Sequence, residues 1–419
     1  MNSLLPFYRD HVERVLLPFW KPAVDLEYGG IFTCFNNTGD TLVSRDKYTW
    51  SQGRFVWMWS RIARMIRDGM LTGDAGEYLA QARHAATFLR DHVFLPNGNC
   101  VYVLSASGEQ KSDDSSLYAD CFVLLGFSEY AAVAGDAEFL ARAFALYERL
   151  LARLDSGSFR TDPYPIPAGY TAHSLAMVRL RFTQSLAAAA AALAHPRKEE
   201  LAIAEQAAAA ALLEKFVRSD GLVAELIPAD PARDGTLLAR HATPGHVLES
   251  MWFVLRTAAA AGRGDWIERA CLTIEWAARI GWDHEYGGLF RYTDREGGEP
   301  KGERGDSPYE ALVRDTWDTK IWWPHAEALF SLLVASRYAA LESWHTKVHD
   351  YVFRTFPHPD PRVGEWIQIR DRRGVPLDKV VALPVKDPYH ILQDVLLCVE
   401  YLHNQRRTID YAPVRRLED

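Results

Sequence analysis

Four stretches place polar side chains inside otherwise apolar, aromatic sequence, and each has a chemistry open to it. In Lys47-Tyr48-Thr49-Trp50-Ser51-Gln52-Gly53-Arg54, the arginine enters a run that continues through Trp57 and Trp59. A buried guanidinium is costly unless paired. Arg54 is therefore either half of a structural salt bridge or a fixed cation that stabilises charge developing on a substrate oxygen. In Thr243-Pro244-Gly245-His246-Val247-Leu248-Glu249, Pro then Gly marks a helix start. His246 and Glu249, at i and i+3, share one face, where the carboxylate can fix the imidazole tautomer and raise its basicity. The plainer reading is a polar helix start. A metal site lacks a third and fourth ligand at convincing spacing. Lys320-Ile321-Trp322-Trp323-Pro324-His325-Ala326-Glu327 offers flat apolar rings on which a sugar could stack, against plain core for the tryptophans and a satisfied core imidazole for His325. His390, after Pro388, opens the last long helix, where the helix N-terminus favours a neutral, basic imidazole. A helix-capping histidine is the alternative. His173 opens another apolar helix and is a further candidate for the same pocket.

These candidates share one regularity: each lies near the start of a helix that follows a short glycine-led insert. Apolar residues at i, i+3, i+4, i+7 predict about a dozen helices, at 4–20, 51–68, 76–92, 116–134, 138–154, 173–194, 198–217, 245–261, 264–279, 321–338, 340–355 and 389–405. Between helix pairs, a Gly leads a few residues of alternating polarity, the signal of a short hairpin. The glycines are Gly30, Gly98, Gly157, Gly221, Gly288 and Gly364, spaced by 68, 59, 64, 67 and 76 residues. Two inserts nearly coincide, Glu27-Tyr-Gly-Gly-Ile-Phe and Glu285-Tyr-Gly-Gly-Leu-Phe. A recurring period means a repeated supersecondary unit. An open solenoid needs polar capping repeats, and the terminal units here are as aromatic as the rest. The expectation is an all-α (α/α)6 barrel with short β-hairpin inserts, one domain over 1–419, its ligand at the barrel mouth. The polar stretch 292–310 is a candidate lid.

Composition removes other classes. The chain is 48% hydrophobic and 24% charged, which is globular rather than disordered. The net charge of −8 and the lack of a long Lys/Arg run argue against nucleic acid. The N-terminal segment carries Asp10 and Glu13 and is no signal peptide, and apolar runs such as 187–194 are too short to span a membrane. Five scattered cysteines form neither a disulfide framework nor a CxxC site and suit a reducing, cytoplasmic setting.

In KYTWSQGRFVWM, TPGHVLESMWF, GWDHEYGGLF, KIWWPHAEALF and PVKDPYH, in that order over nearly the whole chain, the sequence resembles the N-acylglucosamine 2-epimerase family. That family also holds cellobiose 2-epimerases and aldose–ketose isomerases acting on mannose-type sugars. The resemblance implies the (α/α)6 barrel and epimerisation at C2 of N-acylglucosamine, N-acylmannosamine or a related aldose, by proton removal and return through an enediolate. It makes His246 and His390 the acid/base pair, Glu249 the carboxylate supporting His246, and Arg54 the holder of the oxygens near C1 and C2. Trp322, Trp323, Glu327, Trp50 and Tyr48 then fall in sugar-binding segments, and His173 resembles a histidine placed near the ring oxygen. No cofactor or metal is implied; a nucleotide effector and a homodimer are implied by some members. Family members commonly read K-G-x-x-H-x-x-R around the last histidine, and here Asp387 replaces the Gly and Gln393 the Arg. A cation near the sugar is thus expected to be missing. Aldose–ketose isomerisation is the alternative outcome on the same residues. From other classes come an inverting glycoside hydrolase using Glu249 and Glu327, whose carboxyls would have to stand about 6.5–9.5 Å apart, and an inactive sugar-binding protein.

Overall fold

Helix starts and stops follow local chemistry. Asp74 and Asp136 accept hydrogen bonds from backbone N–H groups of the first turns of the helices that follow them, and Gly135, Gly157 and Gly262 end helices in the left-handed conformation. The computed structural model describes residues 4–379, 381 and 383–409, with side chains to residue 405. The chain opens with α1 (Leu4–His11), one π turn, and α2 (Leu17–Trp20). Then come β1 (Lys47–Tyr48), α3 (Thr49–Arg67), α4 (Ala75–His92), β2 (Val103–Leu104), α5 (Leu117–Ala134) and α6 (Ala137–Ser156). The middle holds β3 (Tyr170–Ala172), α7 (His173–Ala192), α8 (Lys198–Phe216), β4 (Leu226–Pro228), α9 (Leu237–Arg240), β5 (His241–Ala242), α10 (Pro244–Ala261) and α11 (Gly264–Gly281). It closes with β6 (Thr293–Asp294), α12 (Pro308–Thr316), β7 (Lys320–Ile321), α13 (Trp322–Ala335), α14 (Glu342–Thr355), β8 (Ile369–Arg370) and α15 (Tyr389–Ile409).

Six helices close a ring: α3 packs on α5, α5 on α7, α7 on α10, α10 on α13, α13 on α15, and α15 back on α3. A second layer covers them, with α4 on α3, α6 on α5, α8 on α7, α11 on α10, α14 on α13 and the N-terminal α1 on α15. This is the (α/α)6 barrel. The inner helices are apolar nearly all round and bury accordingly, whereas outer ones such as α6 bury one stripe. By length and composition α5 could cross a membrane, but 67% of it is buried against α3, α6 and α7, as an inner barrel helix must be. Gly53 of α3 and Gly126 of α5 let these two helices approach closely: a Cβ on Gly53 would collide with the Phe122 carbonyl, and one on Gly126 with the carbonyl of Gly53.

The inserts are tighter than full hairpins. Five of them turn through single antiparallel bridges, Val24–Ile31, Phe94–Cys100, Val217–Val223, Trp282–Leu289 and Pro357–Trp366. The longer pairings, β1–β2, β3–β4, β5–β6 and β7–β8, instead join the strand entering an inner helix to the insert of the next unit. The strand before each such helix is thereby pinned, and so is the helix start. Buried lysines complete the anchor. Lys47 Nζ pairs with Asp25 at 2.7 Å, Lys320 Nζ with Asp283 at 3.0 Å, and Lys386 Nζ with Glu365 at 3.0 Å. Five residues after the first two lysines, Gln52 and His325 play one role: Gln52 Oε1 accepts from Ile31 N, and His325 Nε2 accepts from Leu289 N, both at 2.8 Å. His325 is thus a satisfied core imidazole. The polar stretch 292–310 is tied down rather than free. Asp294 pairs with Arg240 at 2.7 Å, and Leu237 N bonds to Glu303 O at 2.8 Å.

Candidate active site

The starts of the inner helices converge on one cavity at the end of the barrel where the paired strands lie. Its walls include Trp50, Arg54, Glu225, His246, Glu249, Arg291, Trp322, Trp323 and His390. His246 in the first turn of α10 and His390 at the start of α15 flank Trp323 of the intervening α13, with ring centroids 5.1 Å and 5.8 Å from it. Gly245 makes room for this: a Cβ there would strike the Trp323 ring.

His390 Nδ1 lies 2.7 Å from Glu327 Oε1, and Arg54 Nη2 lies 3.2 Å from His390 Nε2. A guanidinium only donates, so Nε2 accepts and the hydrogen of neutral His390 sits on Nδ1, donated to Glu327. Glu327 is completely buried, and its Oε2 accepts from Trp252 Nε1 at 2.8 Å. Burial, then Asp394 and Glu249, push its carboxyl well above the ordinary range. Burial, then Glu249, raises Asp394 strongly, and burial raises Glu249 against the pull of His246, Arg54 and Arg181. Glu327 and Asp394 hydrogen-bond each other, so this group holds at least one proton. Burial, then Arg54 and His246, push His390 well below its usual value, so it is a neutral base.

His246 has the opposite setting. Its Nδ1 lies 2.9 Å from Glu225 Oε1. Burial opposes the charge on both, but Glu225 carries His246 above its usual value, and His246 with His173 holds Glu225 well below the usual carboxylate range. Each member of this pair favours the charged form of the other. The supporting carboxylate of His246 is therefore Glu225 and not Glu249. The i, i+3 spacing does put Glu249 on the cavity face, but it reaches the His390–Glu327 group instead. Glu225 follows Gly221 in an insert whose alternation turns Val223 and Glu225 to one side; that was its only signal.

Arg54 lies over the rings of Trp50, Phe122 and Tyr389, and its Nη1 is 2.5 Å from Asp387 Oδ2. Asp387, the departure from the family glycine, is thus the counter-ion of Arg54. A cation also reaches Gln393, because Arg181 Nη2 of α7 donates to Gln393 Oε1 at 3.1 Å. Arg181 and Gln393 both stand behind the cavity wall, so this cation is not one that the wall presents. His173 is completely buried, absent from the cavity wall, and stands 3.8 Å from Glu225 Oε2, so it supports the carboxylate rather than meeting a ring oxygen. Tyr48 also misses the cavity and packs edge-on to Tyr102 at 5.7 Å. Trp50, Trp322 and Trp323 line it, whereas Glu327 sits behind His390.

Among the described residues, two groups have donor atoms close enough to share an ion, His173–Glu225–His246 and Glu249–Glu327–His390, each within 4.8 Å. In both, imidazole Nδ1 already meets a carboxyl. The same spacing brings Glu249 and Glu327 closer than an inverting hydrolase needs.

A protein-family model described as "N-acylglucosamine 2-epimerase (GlcNAc 2-epimerase)" matches residues 30–394. The N-acylglucosamine 2-epimerase of Bos taurus is 29% identical over 96% of this chain and 93% of its own length. The human enzyme of that name is 26% identical over 93% and 88%. Among solved structures, a cellobiose 2-epimerase from Bacillus thermoamylovorans aligns with a TM-score of 0.74 at 18% identity, covering 96% of this chain and all of the other. A D-mannose isomerase aligns with a TM-score of 0.71 at 17% identity, covering 95% and 99%. At these identities the structural matches speak for the fold.

Proposed function

The chain belongs to the N-acylglucosamine 2-epimerase family, and we propose that it is a sugar 2-epimerase that exchanges the C2 proton of an aldose such as N-acylglucosamine through an enediolate. The observation that carries this reading is the pair of imidazoles on one cavity, each meeting a carboxyl through Nδ1, with burial and Arg54 driving His390 towards the neutral form and Glu225 drawing His246 towards the charged one. Epimerisation needs a base on one face of C2 and an acid on the other. His390 Nε2 takes the proton. Arg54, already beside that nitrogen, stabilises the charge that gathers on the carbonyl oxygen. His246 returns a proton from the opposite side, and the roles exchange for the reverse reaction. Asp387 keeps Arg54 aimed, and Trp323 keeps the imidazoles apart and water out.

An NMR assay in D2O over N-acetylglucosamine, N-acetylmannosamine, mannose, glucose and cellobiose tests it. The expected result is deuterium at C2 of the product epimer. Ketose formation with label at C1 would move the assignment to aldose–ketose isomerisation, and release of monosaccharide from cellobiose would end it. The five cysteines are buried free thiols, which supports a reducing, cytoplasmic setting. A homodimer and a nucleotide response rest on the family resemblance, and sedimentation with and without nucleotide is their test.

A further inference from the structure

Three arginines crowd the barrel interior near the reacting groups, and they are not satisfied alike. Arg54 has Asp387, and Arg181 has Gln393. Arg291, in the insert after α11, is 4% exposed and lines the cavity, yet among the described residues no carboxylate stands within ion-pair distance of it. Its Nη1 donates to Thr316 Oγ1 at 3.2 Å, its Nη2 reaches Tyr164 Oη at 3.4 Å, and its guanidinium lies 5.1 Å from the Tyr292 ring centroid. A guanidinium among neutral hydroxyls and rings has lost water without gaining a counter-charge. Tyr164, Tyr292 and Tyr309 line the same part of the wall. Glu225, a carboxylate on the same cavity wall, is already held by His246 and His173. Arg54 contacts Trp50, Phe122, Tyr389 and His390, and Arg291 contacts Thr316, Tyr164 and Tyr292, so the cavity has two separate cationic places, and among the described residues a carboxylate pairs with the one beside His390 and none with the other.

We infer that Arg291 reads an anionic substituent of the sugar, so that the preferred substrate is an aldose carrying a phosphate, sulfate or carboxylate away from C1 and C2. A guanidinium fork suits two oxygens of such a group, and Tyr164 braces that fork through Arg291 Nη2. The inference rests on the epimerase reading of the cavity and narrows its substrate class. Arg291 is a specificity residue in this account, with no part in the proton transfers.

The test compares neutral and anionic forms of one sugar, namely glucose, glucose 6-phosphate, glucose 6-sulfate and glucuronate, by C2 exchange in D2O and by calorimetric binding. An anionic member should have the higher kcat/KM by about 10- to 100-fold, carried mainly in KM, as expected for hydrogen bonds to a charged group. Arg291→Leu should collapse that ratio towards one, and Arg291→Lys should restore part of it. The preferred member among the three identifies the anion. Equal kcat/KM and equal affinity for neutral and anionic sugars, or a preference untouched in Arg291→Leu, would overturn the inference. If wild type exchanges none of these sugars and none of N-acetylglucosamine, N-acetylmannosamine, mannose or cellobiose, the epimerase reading fails separately. Binding still decides the role of Arg291, since tighter binding of an anionic sugar that Arg291→Leu abolishes sustains it and its absence refutes it.

Discussion

His390 meets Glu327 at 2.7 Å and His246 meets Glu225 at 2.9 Å, through Nδ1 in both cases, yet burial acts on the two pairs with opposite results. Around Glu327 stand Asp394 and Glu249, two more carboxyls, and beside His390 stands the cation Arg54. Around Glu225 stand two imidazoles, His246 and His173. Like neighbours force the first pair neutral, and opposite neighbours hold the second pair charged. An identical two-residue motif thus becomes a base in one place and an acid in the other. The third neighbours make the difference, and two half-reactions on opposite faces of one carbon require it.

Removing either imidazole should have the largest effect. His390→Ala or His246→Ala should lower C2 exchange by about 10³-fold or more, measured as deuterium incorporation, and near-full exchange in either variant would break the pairing. Glu225→Gln comes next, at about 10²-fold, with a distinctive pH signature. Activity needs protonated His246, so it declines as pH rises through that group's raised value. Without the Glu225 charge the value drops, and the declining limb of kcat/KM should move to lower pH. Glu327→Gln should cost less, about 10-fold, because Glu327 is held protonated and an amide replaces a neutral carboxyl; its basic limb should stay in place. An equal limb shift in both Gln variants would erase the distinction drawn here. Tyr48→Phe should change exchange by less than about two-fold, since that ring packs on Tyr102 outside the cavity.

Most of the architecture was legible because it is periodic. The helices predicted at 76–92 and 173–194 are observed at 75–92 and 173–192, and glycine spacing foretold the closed ring. The helix starts were legible as sites because Arg54, His246 and His390 sit where closure brings them together. What pairs with them was not, since it depends on strand pairing between units. Glu225 reaches His246 through the β3–β4 register, which also bonds His173 N to Glu225 O at 2.9 Å. No local spacing encodes that. The i, i+3 rule pointed to Glu249 because it sees one helix at a time. Asp387 and Arg181 were unreadable for the same reason: their partners lie 333 and 212 residues away in the chain.

The opposite protonation of the two imidazoles is observable directly. NMR titration of protein labelled with 15N-histidine, assigned with His246→Ala and His390→Ala, follows the ring nitrogens through pH. His246 should remain an imidazolium above the usual histidine range of about 6.5, while His390 stays neutral with its hydrogen on Nδ1 well below that pH. Two rings that titrate together, or His390 protonating before His246 as pH falls, would contradict the account.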